Sequence, residues 1–295
     1  MTYSIVARDA GTGDLGVAVQ SHWFSVGSVV SWARPGVGAV ATQSIAQPAY
    51  GPRLLDRLAA GEPPGAALAA ELESDENAAV RQVAVIDASG ATAAHTGSRC
   101  IADAGDAQGA GFSVQANMMA SEAVWPGMAA AFEASSGPLA RRLLAALVAA
   151  EAAGGDVRGR QSAALVVVPP EGERWQRTAD LRVEDSAEPL AELARLVDLD
   201  EAYLLMNEAD QLSAVGRFDD AAERFVSAAA LAPDNQELLF WGGLGMAQSG
   251  ALERGSGLVR QAIERHPGWA TLLGRLEPEM APSAEAVRRE LGLDG

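Results

Sequence analysis

Between residues 1 and 198 the hydrophobic pattern changes its period in blocks, and the order of those blocks restricts the fold more than any other feature. Residues 1–8 alternate polar and apolar side chains and are rich in β-formers, the period-two signature of a strand. A Gly-containing turn at 9–14 and a second run at 15–20 complete a hairpin. Residues 21–27 read as a loop carrying His22, Trp23 and Phe24, and runs at 29–33 and 37–43 read as strands around Arg34-Pro35-Gly36. Helical segments follow at 48–60 and 63–72, each with proline in its first turn and with Gly61 between them. Strands return at 80–87, 92–96 and 111–117, helices at 122–134 and 138–153, strands at 162–168 and 175–183, and a helix at 189–196. Blocks of strands closed by pairs of helices predict an α+β protein with helices on the faces of mainly antiparallel sheets. The arrangement expected is a four-layer αββα sandwich over residues 1–198. Glycine within the strands predicts close packing against their faces.

Composition narrows function by exclusion. A chain of 295 residues forms one large or two medium domains and has ample length for a packed core. The net charge is -17 and all 22 basic residues are arginine. An acidic chain without a basic patch argues against nucleic acid or an anionic membrane as partner. Without lysine there is no Schiff-base, lysine-base or Walker-type phosphate chemistry. Cys100 is alone, which excludes an internal disulfide and a cysteine metal cluster; an inert buried thiol is expected. The longest apolar runs, 143–150 and 163–170, are too short to span a membrane. No basic n-region or apolar h-region precedes the first strand, so a cytoplasmic protein without a cofactor or metal is expected.

Thr2 carries the one chemical opportunity in the first strand. Methionine is normally removed before a small second residue, which would give Thr2 a free α-amine beside its hydroxyl. That pair is the N-terminal form of nucleophile activation, with the amine as general base. Ser4 lies on the same face of the strand but needs a separate base. Taken from those eight residues alone, Thr2 reads first as a β-former at a sheet edge.

Further stretches widen the view. They include Thr2-Tyr3-Ser4-Ile5-Val6-Ala7-Arg8-Asp9, Thr12-Gly13-Asp14-Leu15-Gly16 and Trp32-Ala33-Arg34-Pro35-Gly36-Val37-Gly38. Later come Gln82-Val83-Ala84-Val85-Ile86-Asp87, His95-Thr96-Gly97, Gln115-Ala116-Asn117-Met118 and Gly154-Gly155-Asp156-Val157-Arg158-Gly159-Arg160-Gln161-Ser162. Together, over about residues 2–198, they resemble a bacterial family of unknown function assigned to the N-terminal-nucleophile (Ntn) hydrolase superfamily. The resemblance implies the αββα fold and, more weakly, hydrolysis of an amide bond in a small molecule or short peptide. The chain departs from the family pattern at Asp106, where a histidine is expected, and at Ala116, where Gln-Gly-Asn is expected. Contact of either position with substrate would change specificity.

On that basis Thr2 and Ser4 are the candidate nucleophiles, and a developing oxyanion needs preorganised donors. Arg34, the amides of residues 36–38, Gln43 and Asn117 are candidates for that role, Arg34 electrostatically only, because its guanidinium holds its proton. His22 and His95 are candidate substrate contacts and read equally as solvated, capping or structural residues; two histidines without carboxylates do not make a metal site. Arg158 follows a glycine pair with Asp156, Arg160 and Gln161, in what is either a polar pocket or a solvated turn.

Residues 199–295 obey a different rule. Leu205, Ala209, Gly216, Phe225, Ala228 and Pro233 are matched 34 positions later by Leu239, Gly243, Gly250, Val259, Ala262 and Pro267. This period resembles the tetratricopeptide helix-turn-helix. Two such units fall short of an independent array, so the segment is expected to pack on the first domain or form a homodimer. Residues 199–270 are also the candidate surface for a protein partner, the basis of a rival reading as a non-catalytic scaffold. Ser283 is expected to cap a last helix carrying a Glu285–Arg289 pair.

Overall fold

The computed structural model describes residues 2–293. The chain begins with the hairpin β1 (Thr2–Arg8) and β2 (Leu15–Ser21), then a single helical turn, α1 (Gly27–Val30). Next come β3 (Ser31–Arg34), β4 (Gly38–Ser44), α2 (Tyr50–Ala59), α3 (Pro64–Glu73), β5 (Arg81–Asp87) and β6 (Thr92–Thr96). They are followed by β7 (Gly105–Gly109), β8 (Phe112–Asn117), α4 (Val124–Ala134), α5 (Leu139–Ala152), β9 (Ser162–Val168) and β10 (Ala179–Val183). The strands form a six-stranded sheet in the order β10-β9-β2-β1-β8-β7 and a four-stranded sheet in the order β3-β4-β5-β6. All the pairings are antiparallel.

Alternation along the strands decides what each face buries. Val6, Val17 and Val19 of the larger sheet share a core with Ala39, Ala41, Ala84 and Ile86 of the smaller one, so the two sheets pack face to face. The small alanines on one side accommodate the branched valines on the other. On its outer face the smaller sheet presents Val40, Val83 and Val85 to Leu54, Leu55 and Leu58 of α2 and Leu68 of α3. The larger sheet carries α4 and α5. Burial of each such Val or Leu contributes about 1.5–3 kcal/mol. Gly16 and Gly38 show why strand glycines occur here: a Cβ on Gly16 would lie 2.6 Å from Leu143 Cδ1, and one on Gly38 would lie 2.3 Å from the Ile86 carbonyl oxygen.

Several boundaries differ from the sequence expectation. Residues 29 and 30 belong to α1 rather than to the following strand, and β7 was not expected at all. Its sequence, Gly-Asp-Ala-Gln-Gly, lacks β-formers, and pairing with β8 at the sheet edge imposes the extended form. The last hairpin strand begins at Ala179 instead of 175, and Trp175 is 76% exposed. Cys100 is half-buried, not buried, with its thiol 3.4 Å from the Arg81 carbonyl oxygen.

The chain divides into two compact units between Arg195 and Leu196. The division falls inside α6 (Pro189–Ala214), which continues well past the residue 196 expected for it. After it come α7 (Phe218–Leu231), α8 (Gln236–Gln248), α9 (Leu252–Arg265), α10 (Gly268–Arg275) and α11 (Ala284–Leu291). Helices α7 and α9 have the same length and start and end 34 residues apart. The glycines that turn the chain before them, Gly216 and Gly250, both have positive φ. Gly255 stands where the repeat has Ala221, and geometry explains the exchange: a Cβ there would lie 2.3 Å from the Gly243 carbonyl oxygen across the α8–α9 crossing. Leu273 and Val287, from α10 and α11, join the core beneath α8 and α9. Ser283 stands at the N-cap of α11 as expected, but its hydroxyl makes no cap bond and donates to the Leu244 carbonyl at 2.7 Å; the Glu285–Arg289 pair forms at 2.7 Å. No helix among the described residues is long and apolar enough to cross a membrane.

Candidate functional site

At one end of the stacked sheets the apolar lining gives way to hydroxyls and amides. Thr2, the first residue of β1, has its Oγ1 3.1 Å from Ser21 Oγ at the end of β2. On the other side its register partner is Asn117, the last residue of β8, whose Nδ2 donates to the Thr2 carbonyl at 3.4 Å. From the smaller sheet Gln43 reaches across, its Nε2 3.2 Å from the same carbonyl and 2.8 Å from Gln82 Oε1. Gln82 Oε1 also accepts from Asn117 Nδ2 at 2.9 Å, and Gln82 Nε2 donates to the Ala116 carbonyl at 2.8 Å. Ser4 lies one pleat deeper, donating to Gln43 Oε1 at 2.6 Å and accepting from Gln115 Nε2 at 2.5 Å. The side chains of Gln43, Gln82, Gln115 and Asn117 thus stitch the two sheets together and pin the backbone of Thr2 from two directions. Each such bond is worth about 0.5–1.5 kcal/mol when made, and an orphaned partner costs about 1–3 kcal/mol.

Backbone strain collects at the same place. Ser44 and Met118, the residues directly after Gln43 and Asn117, have φ of 67° and 63°. Left-handed backbone at non-glycine residues costs about 1–3 kcal/mol and clusters at functional sites. One strand of each sheet, β8 and β4, therefore ends in left-handed backbone beside Thr2.

Beside Thr2 lies a cavity of about 330 Å³. Thr2, Ser21, Gln43 and Arg158 bring polar groups to it, and Trp23, Val26, Val29, Val30, Ile45 and Pro48 form apolar walls. Arg158 is held by Asp156, its Nη2 3.3 Å and its Nε 3.4 Å from the two carboxylate oxygens. Ile45 is fastened through its carbonyl to Arg81 Nη1 at 2.6 Å, and Arg81 Nε in turn donates to Asp75 at 2.7 Å. The Arg81 hydrogen bond holds the Asp75 carboxyl below its ordinary range. On the opposite face of β1, Tyr3 donates to Glu151 at 2.7 Å, and burial, reinforced by that carboxylate, pushes its phenol well up.

The cavity gathers some of the expected residues and leaves others elsewhere. Thr2, Gln43 and Arg158 line it, and Asn117 backs it. Thr2 is 6% exposed, while Ser4 is 0% exposed, sealed between two glutamines and outside the cavity lining. His22 adjoins the site, its backbone N–H donating to Asp156 at 3.1 Å and its ring Nδ1 3.3 Å from the Arg160 carbonyl. Arg34 takes no part: it donates to Asp56 at 2.8 Å and to the Leu55 carbonyl. The amides of 36 and 37 are likewise occupied, by the carbonyls of Pro169 and Arg34. His95 is bound to the Ala78 carbonyl at 2.9 Å and lines no part of this cavity. Ser21, Gln82 and Gln115 were missed as site residues, although glutamine at inward positions of otherwise apolar strands is itself a signal. Asp106, the departure from the histidine pattern, accepts from Thr96 at 2.6 Å; Thr96 accepts from Gln82, which puts it at the end of the amide network. Among the described residues no set of His, Cys, Asp and Glu gathers as a metal site.

A family model described as "Family of unknown function (DUF1028)" matches residues 2–193. The chain belongs to this family. The matched DUF1028 segment contains every residue of the cavity and of the amide network. The structure is also similar to the crystal structure of protein SPO2555 from Silicibacter pomeroyi, described as a DUF1028 protein. The two share 33% sequence identity over 66% of this chain and 87% of that one, with a TM-score of 0.61. Comparison with curated proteins returned no match.

Proposed function

We propose that this DUF1028 chain is an N-terminal-nucleophile amide hydrolase with Thr2 as the nucleophile. The observation that carries the reading is the Thr2 hydroxyl at the polar end of an apolar-walled cavity, on a backbone fixed by Asn117 and Gln43. The succession helix pair, sheet, sheet, helix pair supports an Ntn-type αββα sandwich. With Met1 removed, the α-amine of Thr2 takes the proton of its own hydroxyl as the oxygen attacks an amide carbonyl. Ser21, within hydrogen-bonding distance of that oxygen, orients it. The tetrahedral intermediate collapses with release of an amine, which takes the proton, and water then cleaves the ester left on Thr2. The intact mass of untagged protein tests the first requirement, loss of one methionine. Thr2→Ala is expected to abolish turnover of amide substrates, by about 10³-fold or more, with an unchanged circular dichroism spectrum. Full activity in that variant defeats the mechanism.

A second reading, a binding protein that recruits a partner through its tetratricopeptide-like helices, draws on a cavity of about 380 Å³ within the second unit. Tyr203, Met206, Asp210, Glu237 and Trp241 are among its lining residues, and burial raises the Asp210 carboxyl. On that reading a protein retained by the full chain in pull-down is lost with Trp241→Ala and kept with Thr2→Ala. Homodimerisation through the same helices is tested by light scattering on the full chain and on one ending near Asp198.

A further inference from the structure

We infer that the substrate is an N-acyl amino acid, with an apolar acyl chain in the cavity beside Thr2 and the carboxylate of the departing amino acid on Arg158. The inference rests on the Thr2 reading and adds the chemical class to it. Val26, Val29, Val30, Ile45, Ala46 and Pro48 offer an acyl group no side-chain hydrogen bond. A polar acyl group seated among them would lose its water without replacement, at a cost that an alkyl or aryl chain avoids. The apolar surface continues outward, because Trp23 and Ile45 are 60% and 56% exposed while also lining the cavity. Large apolar side chains left in water at a cavity mouth mark a ligand entrance.

The other end of the molecule is set by charge. The chain carries a net charge of -17, yet among the described lining residues Arg158 is the one charged side chain. Asp156, with its side chain buried, holds the guanidinium on the wall through Nε and Nη2. A planar guanidinium presents five N–H donors in a fork suited to a carboxylate. Size agrees with the class. A cavity of 330 Å³ holds about eleven waters at roughly 30 Å³ each, room for an acyl chain of about six to eight carbons and its amide.

In the step itself, Thr2 Oγ bonds to the acyl carbon and the C–N bond breaks. The hydroxyl proton passes through the α-amine to the leaving nitrogen, which departs as the free amino acid. Water then cleaves the acyl-threonine ester, giving the carboxylic acid and restoring the hydroxyl.

The test uses the full chain with Met1 removed and a series of acetyl-, butanoyl-, hexanoyl- and octanoyl-glycine, with octanoyl-glycinamide as the uncharged control. The value of kcat/KM is expected to rise about 4-fold per added methylene. Glycinamide should be poorer than glycine by about tenfold, and Arg158→Gln should erase that difference. Ile45→Asn, at an exposed position, should flatten the chain-length series and keep the preference for the carboxylate. Acetyl as good as octanoyl, or discrimination against glycinamide surviving in Arg158→Gln, overturns the inference. If nothing in the series is cleaved, calorimetry of octanoyl-glycine with Thr2→Ala separates the two claims. Binding that depends on chain length and on Arg158 keeps the ligand class and removes the nucleophile; absence of binding removes the class.

Discussion

Exchanging Ser21 for alanine takes away the hydroxyl nearest to Thr2, 3.1 Å from its Oγ1, and leaves the peptide backbone of both strands intact. The expected result is a fall in kcat of about tenfold or more with little change in melting temperature, read from steady-state kinetics and thermal denaturation. Gln82→Leu should do the reverse. It takes from Gln43 and Asn117 the shorter of their amide hydrogen bonds and leaves without their donor the acceptors that Gln82 serves, so a stability loss of about 2–4 kcal/mol is expected in urea titrations. At this scale the cavity positions of Thr2 and Gln43 and the place of Asn117 behind them were legible, Thr2 as the first residue of the first strand and the other two as polar residues in family motifs. Arg34 was misplaced for a reason no spacing reveals. It pairs with Gly38, five residues along β4 from Gln43, or about 16 Å at strand rise, so the arginine and the threonine belong to opposite ends of the sheets. Ser21 stayed hidden because its role depends on which strand end lies beside Thr2, a fact of pairing rather than of composition.

Among the elements, the strand end at Ser44 and the loop after it depend on a side-chain clamp. Arg81 holds the Ile45 carbonyl and is itself held by Asp75, whose carboxyl also accepts from Tyr50 and from the Asn77 amide. Because the folded chain keeps Asp75 below its ordinary pKa, its contribution to stability is present above about pH 4 and is lost as pH falls through the lowered value. Asp75→Asn should therefore be less stable than the parent near neutrality, with the gap shrinking on acidification, as paired urea titrations at pH 7 and pH 3 would show. A gap that widens in acid would contradict the assignment. The hairpins and the two helix pairs of the first unit were legible from periodicity, because each buries one face. β7 and α1 were not, since an edge strand of glycine, aspartate and glutamine and a single helical turn carry too little pattern to register.

For the molecule as a whole, two units with separate cores share one chain, and the family match ends at residue 193, just before the second begins. Gly255→Ala places a methyl group against the Gly243 carbonyl and should cost about 1–3 kcal/mol. Hydrogen exchange is expected to show that loss in residues 196–293 while protection of β1, β2 and β9 is retained. The 34-residue spacing of α7 and α9, and of the ends of α6 and α8, was legible in the sequence because it repeats, whereas the unbroken run of α6 back to Pro189 lies ahead of the repeat and was not.

The lattice of Gln43, Gln82, Gln115 and Asn117 has a consequence for titration. A carboxylate or imidazole in that place would gain or lose charge as the solution changed; an amide does neither. The scaffold that aims Thr2 is thus built of groups that do not ionise across the working range of an enzyme. If Thr2 provides both nucleophile and base, the acid side of the pH–rate profile should show a single ionisation, that of the α-amine, with activity rising as the proton leaves.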